Sequence, residues 1–249
     1  MKNVLPFLAA ISLLACGGGQ AVPEPVPQEA RADETTAAVG PEVTALTDMH
    51  GHFEDINAIQ LALISGSLLS ARAMAKKVRL GFAGPAPQGW EPFIERSVAS
   101  AEMLEVTDDL EMAARLASAM AATCGDCHRS QDLVVIRHVA VAPPREEDRL
   151  SNFMTQHRWA ADRMWEGIIG PSDEAWQAGA LALQTTELSK QDIGERIVVT
   201  PEIEAMLQQI QSDAAAASKT EGSEDRQKLY GRFLSGCASC HRDMKNQLD

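Results

Sequence analysis

One five-residue pattern occurs twice in this chain, as Cys124-Gly125-Asp126-Cys127-His128 and as Cys237-Ala238-Ser239-Cys240-His241. In each copy the two thiols stand three residues apart, which puts both sulfurs on one side of a helical turn. The imidazole that follows is directed alongside them. Cys-x-x-Cys-His is the attachment pattern of c-type haem. The thiols add across the porphyrin vinyl groups as thioethers, and the adjacent imidazole becomes the proximal iron ligand. Two covalently bound haem c groups are therefore expected, with thioethers at Cys124, Cys127, Cys237 and Cys240 and proximal iron ligands at His128 and His241.

Other uses of paired cysteines fit less well. Zinc ribbons carry two Cys-x-x-Cys pairs about 15–20 residues apart. The gap from Cys127 to Cys237 is far longer, and zinc does not require a histidine after each pair. A thioredoxin-like redox pair expects a βαβ context, which the helical patterning around both copies does not offer.

The fifth cysteine belongs to the N-terminus. Met1, Lys2 and Asn3 make a short basic start, residues 4–14 are mostly apolar, and Ala15-Cys16 follows. An apolar run of this length reads as a secretory signal over residues 1–15, too short to span a bilayer. The small residue before Cys16 resembles the lipobox of bacterial lipoproteins. That resemblance implies cleavage before Cys16, lipid on its thiol and export to the periplasmic side. Gly17 in place of an aspartate implies the outer membrane rather than the inner. Residues 16–43 are rich in Pro, Glu, Ala and Thr. Such a composition buries no core and reads as a disordered tether.

The remainder is duplicated. Met49-His50-Gly51-His52 and Met154-Thr155-Gln156-His157 share Met-x-x-His, 105 residues apart, while the two cysteine motifs are 113 apart. Met49, His52, Ile56, Ile59 and Leu63 fall at steps of three and four, as do Leu150, Met154, His157, Ala161, Met164 and Ile168. Each set is the inward stripe of an amphipathic helix, stopped at Gly66 in one copy and at Gly170-Pro171 in the other. The expectation is an all-α chain of two tandem four-helix bundles, residues 44–142 and 145–249, each with a haem c on its last helix. In the first, helices are predicted over 44–64, 67–80, 91–105 and 108–130. In the second they are predicted over 146–169, 172–189, 201–218 and 223–246. Residues 133–141 alternate weakly and read as a connecting segment.

A four-helix bundle with Cys-x-x-Cys-His on its last helix resembles cytochrome c′ and its six-coordinate, Met-ligated relatives. The resemblance covers residues 44–249 as two copies, and rests on motif position, helix count and the first-helix pattern. In that family the residue facing the distal side of the iron comes from the first helix, about four turns before its terminal glycine. This implies Met49 and Met154 as distal candidates. His52 and His157 lie one turn later on the same stripe and are the alternative candidates; Met/His ligation raises the reduction potential relative to bis-His. His50 and His138 have no counterpart in the other copy and read as surface residues. Trp159, Trp165 and Trp176 read as core or interface filler. Arg129 and Arg242 read either as partners of haem propionates or as solvated surface arginines.

The net charge is −13, and −14 once the signal and its Lys2 are removed. So acidic a surface excludes nucleic acid as a partner and adhesion to anionic headgroups by charge. It suits redox partner proteins with basic docking patches, with the membrane reached through lipid. The expected function is periplasmic electron transfer by a dihaem cytochrome c anchored at Cys16. The chain is expected to carry electrons rather than act as an enzyme. Two alternatives stand: a five-coordinate, gas-binding sensor like cytochrome c′, and a dihaem peroxidase.

Overall fold

The computed structural model describes residues 41–133, 135, 138–186, 193 and 198–248, with side chains from Met49 to Gln247. The expected signal, Cys16 and the expected tether as far as residue 40 lie outside the described residues, whereas residues 41–43, expected to belong to the tether, are helical and open α1. Among the described residues there are eight helices and no strand. They are α1 (Pro41–Ile64), α2 (Leu68–Gly81), α3 (Glu91–Val106), α4 (Leu110–Ser130), α5 (Arg149–Ile169), α6 (Asp173–Thr185), α7 (Pro201–Ala217) and α8 (Ser223–Leu248). The chain is all-α, as its periodicity predicts.

The helix ends have local causes. α1 stops in a Schellman turn: the Ser67 amide donates to the Ala62 carbonyl and the Gly66 amide to the Leu63 carbonyl, both at 2.8 Å. Gly66 has φ +71°, the left-handed conformation this cap needs. α4 begins at Leu110 rather than 108 because the Asp109 carboxylate accepts from the Glu111 amide at 2.8 Å. Asp148 caps α5 in the same way, accepting from the Ser151 amide at 2.7 Å, so this helix starts at Arg149 rather than 146. Thr200 caps α7 with Pro201 in its first turn, as expected of that sequence. α6 was expected to reach 189 and ends at Thr185. The Thr185 and Thr186 hydroxyls donate back to the carbonyls of Leu181 and Ala182, and the Thr186 backbone turns extended. Such local side-chain bonds compete with a further helical turn.

From Pro41 onward the chain forms one unit. α1–α4 pack as one set of neighbours and α5–α8 as another, with α4 and α8 in extensive contact between the sets. The main core is shared by the two sets, beside a smaller cluster around Phe153, Ile203 and Leu207. A single cluster of buried side chains runs from Ile56, Leu63, Val78 and Met120 to Met164, Trp176 and Phe233. The reason lies in α4, where Leu110, Ala113, Ala114, Leu116, Ala117, Met120, Ala121 and Ala122 are all buried. A helix apolar on most of its circumference needs cover on two sides.

α4 and α8 run antiparallel. The Ser118 hydroxyl donates to the Gln227 carbonyl at 2.6 Å, Arg115 lies against Gly231, and Asp126 accepts from the Ser223 hydroxyl at 3.4 Å. α1 and α5 are also antiparallel. Trp165 Nε1 donates to Asn57 Oδ1 at 2.7 Å, and Gln60 Nε2 donates to Asp162 Oδ1 at 3.4 Å. Asn57 and Asp162 occupy equivalent positions of the two copies, as do Gln60 and Trp165. The contacts thus repeat reciprocally, as across an isologous dimer interface.

Candidate functional site

Both cysteine motifs sit on the helices that meet in the centre, Cys124–His128 on α4 and Cys237–His241 on α8. Because α4 and α8 are antiparallel, the motifs lie at opposite ends of the pair. Asp126 faces Ser223, and the second motif is centred sixteen residues further along α8. At the helical rise this is a separation of about 24 Å along the axis. The two cysteine pairs therefore do not share a site, and among the described residues no three His, Cys, Asp or Glu side chains converge as a metal-binding group.

The four thiols are free. Burial pushes the Cys124 and Cys237 thiols up to about 12. Burial also raises Cys127 and Cys240, with Arg96 pulling Cys127 the other way. Thiols so placed stay protonated, unlike the exposed, electropositive thiolates of catalytic cysteines. Cys240 Sγ lies 3.7 Å from Met244 Sδ.

Each motif histidine is fixed by a backbone carbonyl at the end of a first helix. His128 Nδ1 lies 2.7 Å from the Ile169 carbonyl oxygen, and His241 Nδ1 bonds the Ile64 carbonyl. A carbonyl only accepts, so in both rings Nδ1 carries a proton and donates it, which leaves Nε2 as the nitrogen available for ligation in the neutral ring. Burial lowers the His128 pKa, with the Ile169 carbonyl opposing, which favours the neutral ligating form. The arginines that follow pair with nearby acids: Arg129 with Asp126, which also takes Arg96 at 3.2 Å, and Arg242 with Asp243 at 3.1 Å.

The first-helix histidines lie at the motif end of their own sets. His52 stacks on Phe82, centroids 4.0 Å apart, beside Gly81 at the end of α2. The α2–α3 loop leads from there to α3, whose Arg96 reaches Asp126 of the first motif. His52 Nδ1 is buried with no hydrogen-bond partner. His157 stacks on Phe153 at 3.6 Å, and its Nε2 is 3.4 Å from the Thr186 carbonyl. Burial pushes His157 down to about 4, with a smaller push in the same direction from His241, so the two imidazoles sense one another. His157, Phe153, Leu183, Thr186, Leu207 and Ile210 enclose a void of about 10 Å³.

The methionines are placed differently. Met154 packs with Met244 in a small apolar cluster around Phe153, Ile203 and Leu207. Met49 is half-buried near the start of the described side chains. His50 and His138 are exposed. Trp165 and Trp176 are buried with their indole N–H groups bonded to Asn57 and to the Ala217 carbonyl; Trp159 packs against the main core with Arg163 over its ring.

A wider cleft of about 770 Å³ opens beside His128, bounded by Arg129, Gly170, Ser172, Ser223 and Arg226. The sequence did not single it out, because its walls are two helix starts and a turn from the other half of the chain. Among the described residues no helix is long and apolar enough to cross a membrane. No protein-family model, curated protein or solved structure matches the chain.

Proposed function

We propose that the chain is a dihaem c-type cytochrome, two tandem four-helix modules similar to cytochrome c′, that carries electrons on the periplasmic side of a membrane to which Cys16 lipid tethers it. The observation that carries this reading is the state of the two motif histidines. Each stands one residue after a partly buried, unbridged thiol pair, with Nδ1 committed to a carbonyl and Nε2 free of it. That donor set suits covalent attachment of a porphyrin edge and axial ligation of its iron. A buried, unpartnered nitrogen on His52 is a second polar group in want of a partner.

Bound haem would supply a one-electron iron couple. The residues of the chain hold and tune it. Cys124 and Cys127 on α4, with Cys237 and Cys240 on α8, would hold the rings by thioether bonds, and His128 and His241 would ligate the irons through Nε2. Both distal pairs stand as candidates: His157, the counterpart of His52, lines the void beside Phe153 and Leu207, and Met154, the counterpart of Met49, packs on the same two residues next to Met244. The acidic surface, with net charge −13, suits redox partners with basic patches.

The test is a count of covalently bound haem, followed by the visible spectrum of the reduced protein with and without carbon monoxide. Two haems and an unchanged Soret band support electron carriage with six-coordinate irons. A Soret shift at either haem would favour gas binding or peroxidase chemistry, and absence of covalent haem would overturn the reading.

A further inference from the structure

The geometry points to reciprocal control: each half of the chain positions the proximal histidine of the other, so each haem centre is tuned by a helix end that belongs to its neighbour. This inference rests on the haem reading above. His241 of the second half is held by the Ile64 carbonyl, the last of α1 in the first half. His128 of the first half is held by the Ile169 carbonyl, the last of α5 in the second. Ile64 and Ile169 are 105 residues apart and the histidines 113, the two repeat offsets of the chain. The exchange is therefore one arrangement made twice.

The carbonyls are available because helix ends leave them over. The Schellman turn after α1 uses the carbonyls of Ala62 and Leu63, and the Leu61 carbonyl takes the Ser65 amide. After α5 the Gly170 and Ser172 amides go to Glu166 and Gly167. Ile64 and Ile169 are left to the incoming imidazoles. Close approach is built in by glycine on both sides. A Cβ on Gly66 would stand 2.8 Å from the Arg242 backbone nitrogen and 3.0 Å from the Ala238 carbonyl oxygen, and a Cβ on Gly125 would stand 2.1 Å from the Ile168 carbonyl oxygen.

A carbonyl that accepts from Nδ1 fixes the tautomer and raises the basicity of Nε2. That favours ferric iron over ferrous and holds the potential down. Ile64, Gly66 and Ile169 act as positioning residues, through the ring they orient. A shift of the α1 end then changes the centre at Cys237 and Cys240, not the centre of its own half.

The experiment uses the full haem-loaded chain, after the covalent haem count, and follows both reduction steps by spectroelectrochemistry. Asp126→Asn removes a negative charge inside the first motif and marks the step of the first centre. Gly66→Ala, which lies in the first half, is expected to raise the potential of the other step and leave the marked one in place. If Gly66→Ala moves the marked step, both alike, or neither, the proposal is overturned. Should that variant not fold, the wild-type chain decides by NMR in its reduced state. Scalar coupling across the hydrogen bond from His241 Nδ1 to the Ile64 carbonyl carbon, and from His128 Nδ1 to Ile169, is expected; its absence overturns the proposal. If no haem is attached, the haem reading fails by the count, while the same couplings in the bare polypeptide still decide whether each half holds the other's histidine.

Discussion

The Gln60 side-chain amide donates to the Tyr230 phenol oxygen at 2.8 Å, and the phenol passes its own proton to the Ala161 carbonyl at 3.0 Å. Residues 170 positions apart are thereby tied through a third helix, with every partner buried. Burial raises the Tyr230 pKa well above the ordinary phenol value, so the hydroxyl remains a donor throughout the working range.

Tyr230→Phe keeps the ring contacts with Trp165 and Phe233 but removes both phenol hydrogen bonds, leaving the Gln60 amide its longer bond to Asp162 at 3.4 Å and the Ala161 carbonyl its place inside α5. Losing hydrogen bonds between groups that keep another partner costs about 0.5–1.5 kcal/mol. The unfolding free energy from urea titration should fall by that amount in one cooperative transition, since both halves share a core. Two separate transitions, with only one of them shifted, would show that the halves unfold independently.

Position two of the cysteine motif should be intolerant in one copy and lenient in the other. Gly125→Ala puts a methyl 2.1 Å from the Ile168 carbonyl oxygen, a backbone atom that moves only if α5 leaves α4. Ala238 occupies the equivalent place, and Ala238→Gly should cost only about 1 kcal/mol through helix propensity. Thermal melts of the two variants should differ widely. Similar melting temperatures would mean that α4 and the end of α5 do not approach as described.

Helix positions were legible because their ends carry caps and punctuation. Gly66, Thr200-Pro201 and the paired Met-x-x-His stripes announce themselves in the residues. The sharing of one core was less legible, although α4 carried a sign of it: an Ala-rich surface with too few polar positions to face water on any wide arc. The partners of His128 and His241 were not legible at all. Ile64 and Ile169 contribute backbone oxygens, and no side-chain pattern marks which carbonyl a helix end leaves unpaired.

Asp213 is 3% exposed. One carboxylate oxygen accepts from Arg232 Nη2 at 3.0 Å and Nε at 3.3 Å, while Oδ2 has no partner. Arg232→Met would leave that carboxylate buried and alone. Arg232 is itself half-exposed, which allows water to enter, so a loss of about 2–3 kcal/mol is expected. Adding Asp213→Leu should recover most of it, because an apolar pair of similar volume needs no desolvation. A double-mutant cycle by chemical denaturation reads the difference. No recovery in the double variant would mean that packing, not the stranded charge, sets the cost.

Acid sensitivity of the polypeptide without attached haem should trace largely to His157, with a share from His128. The His157 pKa is lowered from 6.5 to about 4, mainly by burial. Below pH 6.5 the unfolded chain therefore binds a proton that the folded chain refuses, and stability falls as pH drops from 6.5 toward 4. Below that range both states are protonated and this contribution levels off. The loss has an upper bound of about 3 kcal/mol. His157→Phe keeps an aromatic ring against Phe153 and carries no titrating nitrogen, so its stability should fall less steeply between pH 6.5 and 4 than that of the parent, the rest of the slope coming from His128, whose pKa burial also lowers. Denaturation midpoints across that window measure it. An unchanged slope in His157→Phe would place the acid sensitivity elsewhere and would mean that His157 is not held neutral in the interior.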